Sequence, residues 1–391
     1  MSYTVCAVTG SRAEFGLLRP LLEKLNREKT IDFRLVVTGS HLSDTFGNTQ
    51  SEISASGLPV HRQIPLPLEG DSKTDMIKAT GVALSAFAEY FSAHRPDLIV
   101  VLGDRYEIFA ACSAAAMLGI PIAHLHGGET TEGAVDEFLR HAITKMSTLH
   151  FTACETYRRR VIQLGEQPQQ VFDVGALGVE NLFRIPTMTL EELQESLNFT
   201  LEGKPFCVVT FHPVTLESGT SEEQLRALIQ AMDAFPEMRY IVTLANADAG
   251  GRIINQIWQE EAGRHENWLV IPSLGARRYL SALRYAQMML GNSSSGIIEA
   301  PAAHIPTVNI GDRQKGRMMA ESVLNCPPVY EEIVDTMRTA LSSEYKEVAR
   351  NTACPFGDGT TSDKIVAELL RFLETPNRDA KKSFYDISFE V

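Results

Sequence analysis

The chain has 391 residues, 44% of them hydrophobic and 22% charged, a globular composition long enough for two domains with full cores. Its formal net charge of -13 argues against a nucleic-acid or anionic-membrane partner, because binding of that kind relies on a basic surface. Six widely spaced cysteines with no C-x-x-C pair predict reduced thiols and a cytoplasmic protein, and no run approaches the roughly 20 apolar residues of a spanning helix.

The first predicted element is the β-branched run TVCAVTG, followed by turn formers and then Leu17, Leu18, Leu21, Leu22 and Leu25 at helical spacing. In such a strand, loop and helix, free N–H groups and the positive end of the helix dipole point into one crevice, where Arg12 would meet an anion. The loop has neither G-x-G-x-x-G nor G-x-x-x-x-G-K-[ST], so it names no particular nucleotide. Further strands are predicted at FRLVVTGS, PDLIVVLGD, PIAHLHGGE and LHFTACE, and helical stretches such as KATGVALSAFAEYFSAH and YEIFAACSAAAMLG fall between several of them. That alternation predicts a parallel sheet. A polar, helical stretch between Gly178 and Gly203 separates this series from a second one at PFCVVTFHP, MRYIVTLANAD, NWLVIPS, AQMMLGNSSS and IPTVNIGD. The expected architecture is therefore α/β, with two doubly wound domains facing a central cleft. Their bounds are read as residues 1–181 and 182–370, with a tail at 371–391 packing back on the first domain.

Unusual polar residues fall just after the predicted strands, at the ends expected to face the cleft. The first half supplies Arg12, His41, Asp104, Arg105, the run HLHGGE with His124, His126 and Glu129, and the run DEFLRH with Asp136 and Arg140. The second half supplies His212, Asn246, Asp248, Ser293, Ser294, Glu299 and Arg313. One such residue is usually only solvated, but recurrence at nearly every strand end points to a ligand site. In LGNSSSGIIEA, hydroxyls and N–H groups converge where a pyrophosphate could lie, although a serine there also serves as an ordinary helix cap. A carboxylate at Glu299 is unfavourable beside phosphates unless it accepts hydrogen bonds from a ribose diol, and Pro301 should shorten or bend this helix. Arg313 and Lys315 add local cations despite the acidic total.

The run HLHGGE has two readings. In a strand His124 and His126 would share a face, and with Glu129 they could bind a metal; alternatively they are structural or bind substrate. Asp104, Glu129, Asp136 and Glu137 suit proton transfer to and from carbon better than hydride or phosphoryl transfer.

Taken together and in order, GSRAEFG, TGSHLSDTFGNT, LGDRYE, HGGE, DEFLRHAITKMS, FHPVT, NADAG, GNSSSGIIEAP and NIGDRQKGR closely resemble the hydrolysing UDP-N-acetylglucosamine 2-epimerases of sialic acid biosynthesis, the NeuC type. The resemblance runs from the N-terminus to Arg317. It implies two Rossmann-like domains of glycosyltransferase-B type, a homodimer, no cofactor or metal, and conversion of UDP-GlcNAc and water to ManNAc and UDP through 2-acetamidoglucal. By the same resemblance, Arg12, Arg105, His212, Asn246, Ser293, Ser294, Glu299 and Arg313 bind UDP. His41, His124 and Arg140 then fall near the sugar, Asp104 and Asp136 match catalytic acids, and His212 is a further catalytic position. Many relatives read H-x-E-G-G-E, with the first glutamate catalytic; His126 stands there in this chain, which leaves Glu129 or His126 to take over proton transfer. Leu102 stands where some relatives have histidine. The departure at His126 keeps open UDP-2,4-diacetamido-2,4,6-trideoxyglucose as substrate, in legionaminic acid biosynthesis. A non-hydrolysing epimerase, a retaining glycosyltransferase, a metal-dependent hydrolase and a nucleotide-sugar sensor are the remaining alternatives.

Overall fold

The computed structural model describes residues 2–43, 50–68, 70, 72–131, 135–213, 220–245, 251–376 and 380–388. The chain divides into two units: unit 1 comprises Met1–Glu129, Asp136–Glu180 and Gly357–Val391, and unit 2 comprises Thr130–Val135 and Asn181–Phe356. Unit 1 is built on seven parallel strands: β1 (Tyr3–Thr9), β2 (Ile31–Thr38), β3 (Val60–Ile64), β4 (Leu98–Leu102), β5 (Ile122–Leu125), β6 (Leu149–Thr152) and β7 (Val171–Asp173). Their order in the sheet is β3-β2-β1-β4-β5-β6-β7.

The central strand β4, LIVVL, reads as a continuous apolar run because both faces of the sheet are covered there, whereas the edge strand β3, VHRQI, is mostly exposed. Within β1, Val5 and Ala7 enter the core layer that holds Leu18 and Leu22, while Cys6 and Val8 enter the opposite layer with Phe87 and Ile108. The helix Arg12–Arg27 starts where it does because Ser11 caps it and Glu14 completes a capping box, and its buried Leu18, Leu21, Leu22 and Leu25 form one apolar stripe.

Unit 2 repeats the plan with β8 (Phe206–Thr210), β9 (Arg239–Thr243), β10 (Trp268–Ile271), β11 (Met288–Gly291), β12 (Thr307–Ile310) and β13 (Val323–Cys326), ordered β10-β9-β8-β11-β12-β13. Cys207 and Val209 face one core layer, and Phe206 and Val208 the other. Both sheets have the strand order of a Rossmann fold, and in each the winding reverses once, between β1 and β4 and between β8 and β11. Such reversal points open a crevice at the carboxyl ends of the strands, which is where ligands bind in open α/β sheets.

Two boundaries differ from the expected division: Thr130–Val135, expected in the first domain, is assigned to unit 2, and the chain returns to unit 1 earlier than residue 371. The helix Thr361–Glu374 falls partly within the residues assigned to the second domain, but it belongs to unit 1. Its Ile365, Leu369 and Leu373 are buried in the same core layer as Leu18 and Leu22. Ser362 N–H donates to Glu180 Oε2 at 2.6 Å, and Lys24 pairs with Asp363. The return to unit 1 therefore begins at Gly357 rather than at residue 371. Beyond it, Lys382 Nζ reaches Glu166 Oε2 at 2.7 Å, and Tyr385 N–H donates to the Gly165 carbonyl at 2.9 Å. No described helix is long and apolar enough to cross a membrane.

Candidate active site

In unit 1 the polar residues cluster beyond the ends of β1, β2, β4 and β5, around the reversal point. Glu14 folds back over the start of its own helix, accepting Gly10 N–H at 2.8 Å and Ser11 N–H at 2.9 Å. Two N–H groups that the sequence leaves free for an anion are thus taken by an internal carboxylate. Arg12 supplies the exposed cation at this loop and pairs with Glu52 at 2.8 Å. Burial, and then the like charge of Glu107, push the Glu14 carboxyl up to about 7, against the opposing pull of Arg105 and the two N–H groups.

His41 is fully buried beyond β2, its Nε2 3.1 Å from Thr9 Oγ1 and its ring edge-on to Phe15. Burial, followed by the nearby Arg105, lowers it to about 4, so it is neutral at physiological pH.

Asp104 follows β4 and is paired with the buried Arg140, one turn beyond Asp136 in the helix Asp136–Met146. Glu137 on the same helix lies 3.8 Å from Arg140 and 3.0 Å from His141 Nε2. The helix therefore carries Asp136 and Glu137 in its first turn and Arg140 in the next, and Arg140 ties it to the β4 end. Arg140 serves Asp104 directly.

The shared face expected of His124 and His126 is not formed. β5 ends at Leu125, and His126 has a left-handed backbone with φ of 63°, which turns its side chain off the strand. His124 is fully buried between the Gly103 carbonyl, 2.8 Å from Nε2, and Thr144 Oγ1, 3.2 Å from Nδ1. Burial drives it down to about 3. With both ring nitrogens engaged inside the protein, it holds the Gly103–Asp104 turn. His126 Nε2 accepts the Leu177 N–H at 3.4 Å, which leaves the proton of a neutral ring on Nδ1, 3.1 Å from Glu129 Oε1. Glu129 is almost fully buried beside this ring. Among the described residues no three His, Cys, Asp or Glu side chains group as a metal site, because His124 and His126 diverge.

In unit 2 the residues collect beyond β8 and β11. His212 and Asn292 are joined at two points: His212 N–H donates to Asn292 Oδ1 at 2.7 Å, and Asn292 Nδ2 donates to the His212 carbonyl at 2.9 Å. Arg313 at 3.2 Å and Gln314 at 2.7 Å both donate to the Asn292 carbonyl. Burial, and then Arg313, hold His212 well below the usual histidine range.

The helix Ser295–Ala302 begins after Ser294, whose side chain makes no capping hydrogen bond; Ser293 Oγ accepts Ser295 N–H at 3.4 Å. The ordinary cap reading of Ser294 is therefore not realised. Tyr279 OH donates to Ser295 Oγ at 2.6 Å, and burial together with Glu299 raises its phenol. The helix ends one residue past Pro301. Asn246 and Asp248 lie outside the described residues.

Four participants are absent from the sequence reading: Glu107, Asn292, Tyr279 and Gln314. Glu107 and Asn292 stand inside the motifs LGDRYE and GNSSS, so position after a strand could have marked them. Tyr279 sits in an unremarkable helix, and Gln314 beside two conspicuous cations, with no signal of their own.

Two Rossmann-type sheets, with acids beyond β4 and β5 in one and hydroxyls and a cation beyond β11 and β12 in the other, define a double-Rossmann protein with a polar site at the reversal point of each sheet. Residues 23–370 match the family described as UDP-N-acetylglucosamine 2-epimerase, and the chain belongs to that family. It is 37% identical to the polysialic acid biosynthesis protein P7 of Escherichia coli over 97% of this chain and 96% of that one. It is 38% identical to a hydrolysing UDP-N,N'-diacetylbacillosamine 2-epimerase of Legionella pneumophila, covering 91% of this chain and 93% of that one. In fold it matches the crystal structure of a Neisseria meningitidis UDP-GlcNAc 2-epimerase bound to UDP-GlcNAc, with a TM-score of 0.80 at 18% identity, covering 94% of this chain and 100% of that one.

Proposed function

We propose that this enzyme is a hydrolysing 2-epimerase that converts UDP-GlcNAc and water to ManNAc and UDP. The observation that carries the reading is the pair of oriented acids after adjacent strands: Asp104 held by Arg140 after β4, and Glu129 facing His126 after β5. A carboxylate takes the proton from carbon 2 as the bond between carbon 1 and the UDP oxygen breaks, giving 2-acetamidoglucal and UDP. Water then adds its hydroxyl to carbon 1, and carbon 2 receives a proton from the opposite face. Each half-reaction needs one acid or base in place, and departure of UDP needs its diphosphate stabilised.

In this account Glu129, oriented by His126, and Asp104 and Asp136 carry the proton transfers. Arg12, Arg105, His212, Ser293, Ser294 and Arg313 hold the diphosphate, Glu299 takes the ribose, and Asn246 borders the nucleotide. His212, which burial keeps neutral in the resting protein, would meet the charge that develops on the leaving oxygen. The active species is a homodimer without metal or cofactor.

The Legionella relative favours a second substrate, UDP-2,4-diacetamido-2,4,6-trideoxyglucose, processed by the same chemistry. Incubation with each nucleotide sugar, followed by anion-exchange separation of products, tests both readings. UDP with free 2-epimeric sugar from one of them supports hydrolysis and names the substrate. A UDP-linked epimer with no free UDP would instead assign the non-hydrolysing reaction.

A further inference from the structure

Glu107 is fully buried in the first turn of the helix Tyr106–Met117, directly after β4, at the point where the sheet reverses. Its Oε1 accepts Arg105 Nε at 2.6 Å. A methyl group on Gly10 would overlap this carboxylate, and one on Gly39 would stand 2.9 Å from it. Three loops, after β1, β2 and β4, thus close around one side chain, and Ser40 Oγ adds a hydrogen bond to the Gly10 carbonyl at 3.1 Å. Glu14 meets the same glycine from the other side through the Gly10 N–H. Glu107 Oε2 and Glu14 Oε1 are buried with no hydrogen-bond partner in the protein.

We propose that Glu107 is a positioning residue for the reaction: it fixes Arg105 and the Gly10–Arg12 loop in the arrangement that receives the UDP diphosphate. The proposal rests on the nucleotide-sugar reading above. Two carboxylates are buried together and the one guanidinium beside them, Arg105, is only partly buried, so both acids cannot be charged at little cost. Arg105 and Tyr106 face the pair from the β4 side, and His41, neutral, stands near Arg105 on the β2 side. Glu14 keeps its proton up to a pH of about 7 and loses it above that. Above that pH the like charges push the loop away from Glu107, and diphosphate affinity falls. In Glu107→Gln the neighbour is neutral, so this pH dependence disappears.

The test is UDP titration calorimetry from pH 6 to pH 8.5 on the full chain and on Glu107→Gln, with circular dichroism to establish folding. The expected result is that the parent binds UDP less tightly above pH 7, while the variant binds about tenfold more weakly at pH 6.5 and without that pH trend. Gly10→Ala, whose methyl displaces the Glu107 carboxylate, is expected to show the same loss and keeps the test open if the first variant does not fold. UDP bound by folded variants with the parent's affinity and pH trend overturns the proposal alone. Failure of the parent to bind UDP at all overturns the nucleotide-sugar reading, and the proposal with it.

Discussion

At the scale of single residues, the chemistry turns on how His126 and Glu129 divide the work. Nε2 of His126 is occupied by a backbone N–H and Nδ1 lies 3.1 Å from Glu129 Oε1, so in the proposed reaction the glutamate, not the histidine, is the group to move the proton. Glu129→Gln should accordingly lower kcat by about 100-fold or more, the usual weight of a general base, while His126→Ala should cost less and leave UDP affinity unchanged. Steady-state kinetics of the two variants check this; equal full turnover in both would remove Glu129 from the reaction. Asp104→Asn should also abolish most turnover, because it leaves the buried Arg140 without its carboxylate. His126 was legible as a departure from the family motif, and Asp104 and Asp136 as acids after strands. The left-handed backbone at His126 was not, because periodicity reports which residues share a face only while the strand continues. The role of Glu14 was not legible, because its capture of two N–H groups depends on how the loop turns.

At the scale of elements, β6 and the chain end share a buried ionic cluster. Glu166 is burdened by burial, yet its hydrogen bonds from His150, Lys145 and Lys382 prevail and bring it down to about 2. Its folded value lies below the unfolded one, so the stability it adds is present above the ordinary carboxylate range and is lost as pH falls through that range toward 2. Buried His150, which burial lowers first, acts in the same direction from the ordinary histidine value downward: the unfolded chain takes up a proton that the folded chain refuses. His41 and His124 add to this acid lability between their unfolded value and about 4 and about 3. Thermal unfolding at pH 7, 5 and 4 should therefore show Tm dropping steeply, and Glu166→Gln should be less stable by roughly 3 kcal/mol at pH 7 with a shallower dependence. A parallel pH profile for variant and parent would show that the cluster contributes nothing. No motif marks these residues; Lys382 and Glu166 are far apart in sequence and meet only because the tail docks on unit 1.

At the scale of the whole molecule, the helix Thr361–Glu374 makes unit 1 depend on the far end of the chain. Ile365, Leu369 and Leu373 each stand to contribute about 1.5–3 kcal/mol by burial, so ending the chain at Phe356 should leave unit 1 unstable and readily proteolysed. Limited proteolysis of that truncation, with fragments identified by mass, checks it. The two doubly wound halves were legible because alternating apolar strands and helices follow from local pattern. Which sheet the last helix joins was not, because its amphipathic stripe would fit either layer and only the tertiary partners decide.

Whether this family member breaks the bond to UDP while inverting carbon 2 is decided by proton NMR of the protein with UDP-GlcNAc in heavy water. Free ManNAc carrying deuterium at carbon 2, formed in step with UDP from the first turnover, is the expected result. UDP-ManNAc accumulating without release of UDP, or free sugar that keeps its original proton at carbon 2, would contradict it.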